Sequence, residues 1–153
     1  MKLKFAALFL AFGTTILAQT PEWIWLDGKA GSGAEQVRYF RKTFEAPKDF
    51  AKAILTITGD DRATAYLNGN HVAENRNWRN AVSVDLTKDI KPGQNLLALR
   101  GRNNNGSAGV IAKLEFALKD KSRISIVTDT SWLASTTEES NWAAPGFAAQ
   151  NWA

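Results

Sequence analysis

A chain of 153 residues with no cysteine and one histidine can form no disulfide, thiol nucleophile or Cys/His metal set, so its fold rests on its hydrophobic core. The formal charge of +4 includes Lys2 and Lys4 near the N-terminus. Without those two, 17 of the 19 basic residues face 15 acidic ones, too even a balance to point to a nucleic-acid-binding face.

Residues 1–18 have the layout of a signal peptide: two early lysines, an apolar run from Phe5 to Leu17 and a small residue, Ala18, suited to cleavage. The run is short for a membrane span, and no cysteine follows it to carry a lipid anchor. The expected location is secreted or periplasmic, with no membrane attachment after cleavage near Ala18; an uncleaved N-terminal anchor is the alternative. Residues 19–128 then read as one domain.

Residues 22–26, EWIWL, predict a strand with Trp23 and Trp25 on one face, both expected in the core. Residues 27–35 form a glycine-rich loop whose spacing matches neither a dinucleotide fingerprint nor a phosphate loop. Residues 36–44 alternate as a long strand, and Arg38, Arg41 and Lys42 are expected on its solvated faces. In residues 54–74, Leu55 and Ile57 alternate with Ile54, Thr56 and Thr58, and Asp60-Asp61 follow as a tight turn. A second alternating run ends at Asn68-Gly69, a pair suited to the positive φ angles of a two-residue hairpin. Three adjacent antiparallel strands are predicted there. Residues 75–80, NRNWRN, make a polar loop holding Trp78, and 81–85 a short strand. A connector closed by Pro92-Gly93 leads to strand 95–102, with Leu97 and Leu99 on one face. A polar loop at 103–107, a strand at 108–118, a tight turn at 119–122 and a strand at 123–127 complete the pattern. No 3.6-residue apolar period is long enough for a sizeable helix, so the fold class is all-β, an antiparallel β-sandwich.

The tail, residues 129–153, spaces Trp132, Trp142 and Trp152 ten apart among small and polar residues. Ser131-Trp132 is expected to end a strand, with the later tryptophans pinning a meandering segment against the sandwich. A further domain is expected beyond the tail.

Taken together, Trp23-Ile24-Trp25, residues 39–44 (YFRKTF), Gly59-Asp60-Asp61, residues 65–69 (AYLNG), Asp85-Leu86-Thr87 and residues 92–98 (PGQNLLA) resemble a known family. It is the galactose-binding-like jelly roll, as in the N-terminal modules of bacterial α-L-rhamnosidases and, more loosely, the sugar-binding domain of glycoside hydrolase family 2. Asp129, Trp132, Trp142, Phe147 and Trp152 extend the likeness into the tail. The resemblance implies a jelly-roll sandwich and a non-catalytic accessory module beside a glycosidase domain. It also allows a structural calcium ion, although the Asp and Asn residues fit no specific calcium-loop spacing; no cofactor is expected.

Strand parity suggests where a ligand would sit. Alternating directions gather the Asp60-Asp61 turn and the loops at 27–35, 75–80, 103–107 and 128–131 at one end, and the tight turns at the other. Within that polar end, Trp78 offers a ring on which a sugar's C–H face could stack, or it folds over the sandwich edge. Asp60, Asp61, Arg76, Arg79, Asn103, Asn104 and Asn105 could bond hydroxyls, although turn aspartates commonly bond their own backbone. His71 stands alone at the other end, and no base or carboxylate pair lies across a cleft, so the chain is not expected to be an enzyme. Two functions remain open. One is carbohydrate binding in an exported glycan-degrading protein, with a plant or bacterial polysaccharide as partner. The other is a docking domain that packs on a neighbouring catalytic domain and binds no free sugar, favoured if the tail tryptophans are exposed.

Overall fold

The computed structural model describes residues 19–26 and 35–153, so the expected leader, residues 1–18, and most of the glycine-rich loop lie outside the described residues. Among these residues the fold is all-β, with no helix. Nine strands are present there: β1 Gln36–Glu45, β2 Phe50–Asp60, β3 Arg62–Leu67, β4 Asn70–Asn75, β5 Val82–Asp85, β6 Gln94–Asn103, β7 Gly109–Leu118, β8 Arg123–Val127 and β9 Leu133–Ser135. They form two antiparallel sheets, one in the order β4-β3-β6-β1-β9 and the other β5-β2-β7-β8.

Alternation along the strands builds the space between the sheets. Ala53, Leu55 and Ile57 of β2 and Val110, Ala112, Leu114 and Phe116 of β7 point inward from the four-stranded sheet. They meet Phe40, Phe44, Ala65, Leu67, Leu97 and Leu99 of the five-stranded sheet. Phe116 anchors this core, with Phe50 edge-on at 5.3 Å and Phe44 tilted at 6.1 Å. The hairpin joining β3 and β4 forms as its sequence predicts, with Asn68 at φ 51° and Gly69 at φ 88°.

The predicted run of three neighbouring strands is corrected at Asp61. β2 pairs with β5 and β7, whereas β3 pairs with β4 and β6, so the chain crosses between sheets there. Both edges of β2 are already taken, which leaves β3 only the opposite sheet. The corner is tight: a Cβ on Gly59 would lie 2.7 Å from the Ala63 Cβ, closer than packed carbons approach. Residues 22–26 are likewise not a full strand, because only Ile24 bridges to Val110. Trp23 is half-exposed rather than in the core, while Trp25 packs partly buried against Phe40.

The tail supplies a second core on the outer face of the five-stranded sheet. Trp142 and Trp152 stack at 6.2 Å, and Trp142 meets Tyr39 edge-on at 5.0 Å and Tyr66 at 5.5 Å. Trp132 instead enters the main core, its indole N–H donating to Val127 O at 2.8 Å; Ser131-Trp132 do not end a strand as expected but precede one, β9, which begins at Leu133. All three tail tryptophans are buried.

The tail also corrects the reading of Arg38 and Arg41, which are both buried. Arg41 donates to the carbonyls of Trp142, Ala144 and Phe147, and its guanidinium lies 5.0 Å from the Phe147 ring centre and 5.8 Å from that of Trp152. Carbonyl dipoles and aromatic faces replace water around a charge that has no carboxylate partner among the described residues. Burial accordingly lowers its pKa from the usual arginine value. Arg38 bonds Leu26 O at 2.6 Å and lies 5.4 Å from the Trp25 ring. Lys42, by contrast, remains partly exposed and bonds the Ser131 hydroxyl.

Because Trp142 is a core residue of this second cluster, Trp142→Ala is expected to lower stability by about 3–5 kcal/mol in urea unfolding. A loss below about 0.5 kcal/mol, as for surface positions, would mean that the tail does not pack on the sheet in solution.

Candidate functional site

Three connections meet at one end of the sandwich: the β2–β3 crossing, the loop from β4 to β5 and the loop from β6 to β7. Asn75, buried at the end of β4, organises the middle one. Its amide donates to Asn77 O at 3.1 Å and Asn80 O at 2.7 Å, and its oxygen accepts from the backbone of Gly59 and of Asn77, each at 3.3 Å. The Thr58 hydroxyl lies 3.1 Å from Asn75 Oδ1 and 3.0 Å from Trp78 O, which ties this loop to β2. Asp61 joins the crossing to the third connection: its N–H donates to Arg102 O at 2.8 Å, and its Oδ2 accepts the Asn104 N–H at 2.8 Å.

These connections enclose an open cavity of about 520 Å³. Of the residues singled out in the sequence, Asp61, Arg76, Trp78, Arg79 and Asn104 line it together. Trp78 is 45% exposed, and the Arg79 guanidinium sits 4.6 Å from its ring centre. One face of the ring is thereby covered by a cation.

The other three do not line the cavity. Asp60 ends β2, where its pKa is raised chiefly by burial and then by the charge and hydrogen bond of Asp61. Asn103 is the last residue of β6 rather than part of a loop; it is buried, and its amide reaches Gly106 O at 3.4 Å. Asn105 is exposed but outside the lining.

Arg62, Asn77 and Arg102 also line the cavity and escaped the sequence reading. Arg62 opens β3 and Arg102 nearly closes β6, and the two are register partners. Their signal is positional: a long side chain at the end of a strand reaches past the sheet into the rim, although its type suggests only a solvated face. Glu74 lies behind the cavity, 3.5 Å from Arg62 and 2.9 Å from Arg76, and Glu35 pairs with Arg102. Arg76 holds the Glu74 carboxyl below the usual range.

Among the described residues no group of three or more His, Cys, Asp or Glu converges. A calcium ion at this end would therefore draw most of its ligands from amide and main-chain oxygens. At the opposite end His71 is exposed, edge-on to Tyr66 at 5.8 Å. No helix among the described residues is long and apolar enough to cross a membrane.

No protein-family model matches the chain. It is 30% identical over 140 residues to an α-L-rhamnosidase of Streptomyces avermitilis, a match covering 85% of this chain and 14% of the enzyme. It is 28% identical over 123 residues to an α-L-rhamnosidase of Formosa agariphila, covering 65% of this chain and 13% of that enzyme. The solved structure of the Streptomyces avermitilis enzyme complexed with L-rhamnose aligns with a TM-score of 0.76 at 28% identity, over 86% of this chain and 14% of the enzyme. A lectin from Pleurotus ostreatus in complex with GalNAc aligns with a TM-score of 0.71 at 29% identity, over 86% of this chain and 41% of the lectin. The chain is a jelly-roll module similar to a small part of bacterial α-L-rhamnosidases and to a fungal lectin, and it spans 14% or less of the curated relatives it matches.

Two outcomes follow from the packing of this end. Asn75→Ala removes the partner of the buried Gly59 N–H and the side-chain bonds to Asn77 and Asn80 and is expected to cost about 1–3 kcal/mol, whereas Trp78→Ala, whose loop is held through backbone atoms, should stay within about 1 kcal/mol of wild type. The reverse order in paired melting curves would make Trp78 structural.

Asp60 yields a pH test. Its pKa is higher folded than unfolded, so its contribution is most favourable below the unfolded value and is lost as pH rises through the folded value. Asp60→Asn should therefore be more stable than wild type at neutral pH, with the advantage shrinking as pH falls through the folded Asp60 pKa. A variant less stable at every pH in urea titrations would show that the carboxylate makes bonds that an amide cannot replace.

Proposed function

We propose that this chain is a non-catalytic carbohydrate-binding module of an exported glycan-degrading protein. The observation that carries this reading is the open cavity at the loop end, where an exposed tryptophan stands among guanidinium, carboxylate and amide groups. An aromatic face with planar hydrogen-bonding groups around it suits the alternating C–H and hydroxyl surfaces of a saccharide. The similarity to a lectin solved with GalNAc and to a rhamnosidase solved with L-rhamnose supports a glycan as the partner.

The non-catalytic part of the proposal rests on chemistry. Glycoside hydrolysis ordinarily needs two carboxyl groups facing each other across the scissile bond. Here Asp60 and Asp61 are neighbours in sequence, Glu74 is held by two arginines, and His71 is at the far end. Export is proposed from the leader-like residues 1–18. Burial of Trp132, Trp142 and Trp152 removes the feature that favoured a docking domain.

Isothermal titration against a panel of plant and bacterial saccharides tests the proposal, with Trp78→Ala as the probe. The variant is expected to weaken binding of the retained sugar by about 1–3 kcal/mol, the worth of burying one aromatic side chain. Unchanged affinity would place binding elsewhere. No binding by wild type to any member would oppose the glycan reading, and turnover of an aryl rhamnoside that is lost in Asp61→Asn would overturn the non-catalytic one.

A further inference from the structure

We infer, resting on the glycan-binding reading, that the loop-end cavity selects acidic saccharides, with its arginines receiving the carboxylate of a uronic-acid residue. Four guanidinium groups, those of Arg62, Arg76, Arg79 and Arg102, line the cavity against one carboxylate, that of Asp61. The carboxylates that pair with three of the four, Glu74 and Glu35, lie outside the lining. Arg79 has no carboxylate in salt-bridge range among the described residues and lies instead on the Trp78 ring.

The hydrogen-bonding inventory leans the same way. A neutral sugar hydroxyl both gives and takes a hydrogen bond, so a site for it needs acceptors as well as donors. In this lining two of the side-chain acceptors are already engaged: Asn77 Oδ1 takes the Arg79 main-chain N–H at 3.0 Å, and Asp61 Oδ2 takes that of Asn104 at 2.8 Å. Donors remain in excess, because each guanidinium carries five N–H groups and an ion pair engages only one or two of them. A cavity whose planar guanidinium donors outnumber its acceptor side chains matches a carboxylate, which accepts two parallel bonds from one guanidinium. The arrangement of Arg79 on Trp78 fits an acidic sugar as well: the ring can support a pyranose through its uncovered side or edge while the cation beside it meets the charged group.

The test compares galacturonic acid trisaccharide with the same trisaccharide fully methyl-esterified, by isothermal titration with the whole chain at low and at physiological ionic strength. Esterification removes the charge and leaves the rest of the sugar in place. The acid form is expected to bind at least about tenfold more tightly at low ionic strength, with the gap narrowing as salt rises. Arg76→Gln, at an exposed position whose ion pair adds little to stability, should cut affinity for the acid form about fivefold or more and that for the ester by a clearly smaller factor. Lys88→Gln, in the connector at the other end, should change neither. Equal affinity for acid and ester would overturn the inference, as would an equal loss in Lys88→Gln, which would mark diffuse attraction to a polyanion. If both forms bind equally and Trp78→Ala weakens both, glycan binding stands and acid selection falls. If neither form binds and neutral galactotriose does not bind either, the glycan reading falls along with the inference.

Discussion

The structure depends on covering β6 from both sides. Asn95 to Leu99 are buried without interruption, so this strand cannot follow the usual pattern of one face in the core and one in water. One cover is the four-stranded sheet, which meets Leu97 and Leu99. The other is the tail, whose Trp142 and Trp152 close over Ala98 and Tyr39. That second layer brings a charge inside with it, and Arg41 is tolerated because three tail carbonyls and two aromatic rings surround it. The tail and Arg41 thus hold each other in place.

Covering the sheet this way also decides which end of the sandwich is free. The tail runs to the hairpin end, where Ala143 and Ala144 come close to Gly69. Asn68 and Asn95 add a cross-bond of 2.8 Å there, and Lys119 pairs with Asp49 at 3.0 Å. The opposite end keeps its loops open, yet they are not loose. Asn75 and Asp61 fix them to the strands through backbone atoms, so the Trp78 ring and the arginine side chains line the cavity without having to hold its loops. A rigid frame with its polar side chains turned outward limits the ordering cost of binding.

Much of this was legible in the sequence. Alternation set Leu55 and Ile57 on the face opposite Ile54, Thr56 and Thr58, Asn68-Gly69 fixed the hairpin, and strand parity brought the 75–80 and 103–107 loops to one end. The sheet change at Asp61 was not legible, because a hairpin and a crossing between sheets carry the same alternation; they differ in which edges other strands have already taken. Arg38 and Arg41 were misplaced because their type favours water, and the groups that replace water arrive from Leu26, the Trp25 ring and the distant tail. Trp23 erred the other way. It bridges nowhere in a sheet and lies over Gly109, where a Cβ would sit 2.7 Å from its ring. At the site, the loop residues announced themselves through composition, whereas Arg62 and Arg102 were hidden inside strands.

The proposed glycan would be received at the loop end, beside Trp78. Six tryptophans give six indole N–H reporters, and those of Trp132 and Trp152 are held by Val127 O and Glu139, none of which lines the cavity. The most direct measurement is a two-dimensional 15N NMR titration of the chain with the saccharide retained most strongly. The Trp78 indole signal is expected to move progressively to saturation while those of Trp132, Trp142 and Trp152 stay in place. Shifts confined to the tail tryptophans, with Trp78 unmoved, would contradict that placement.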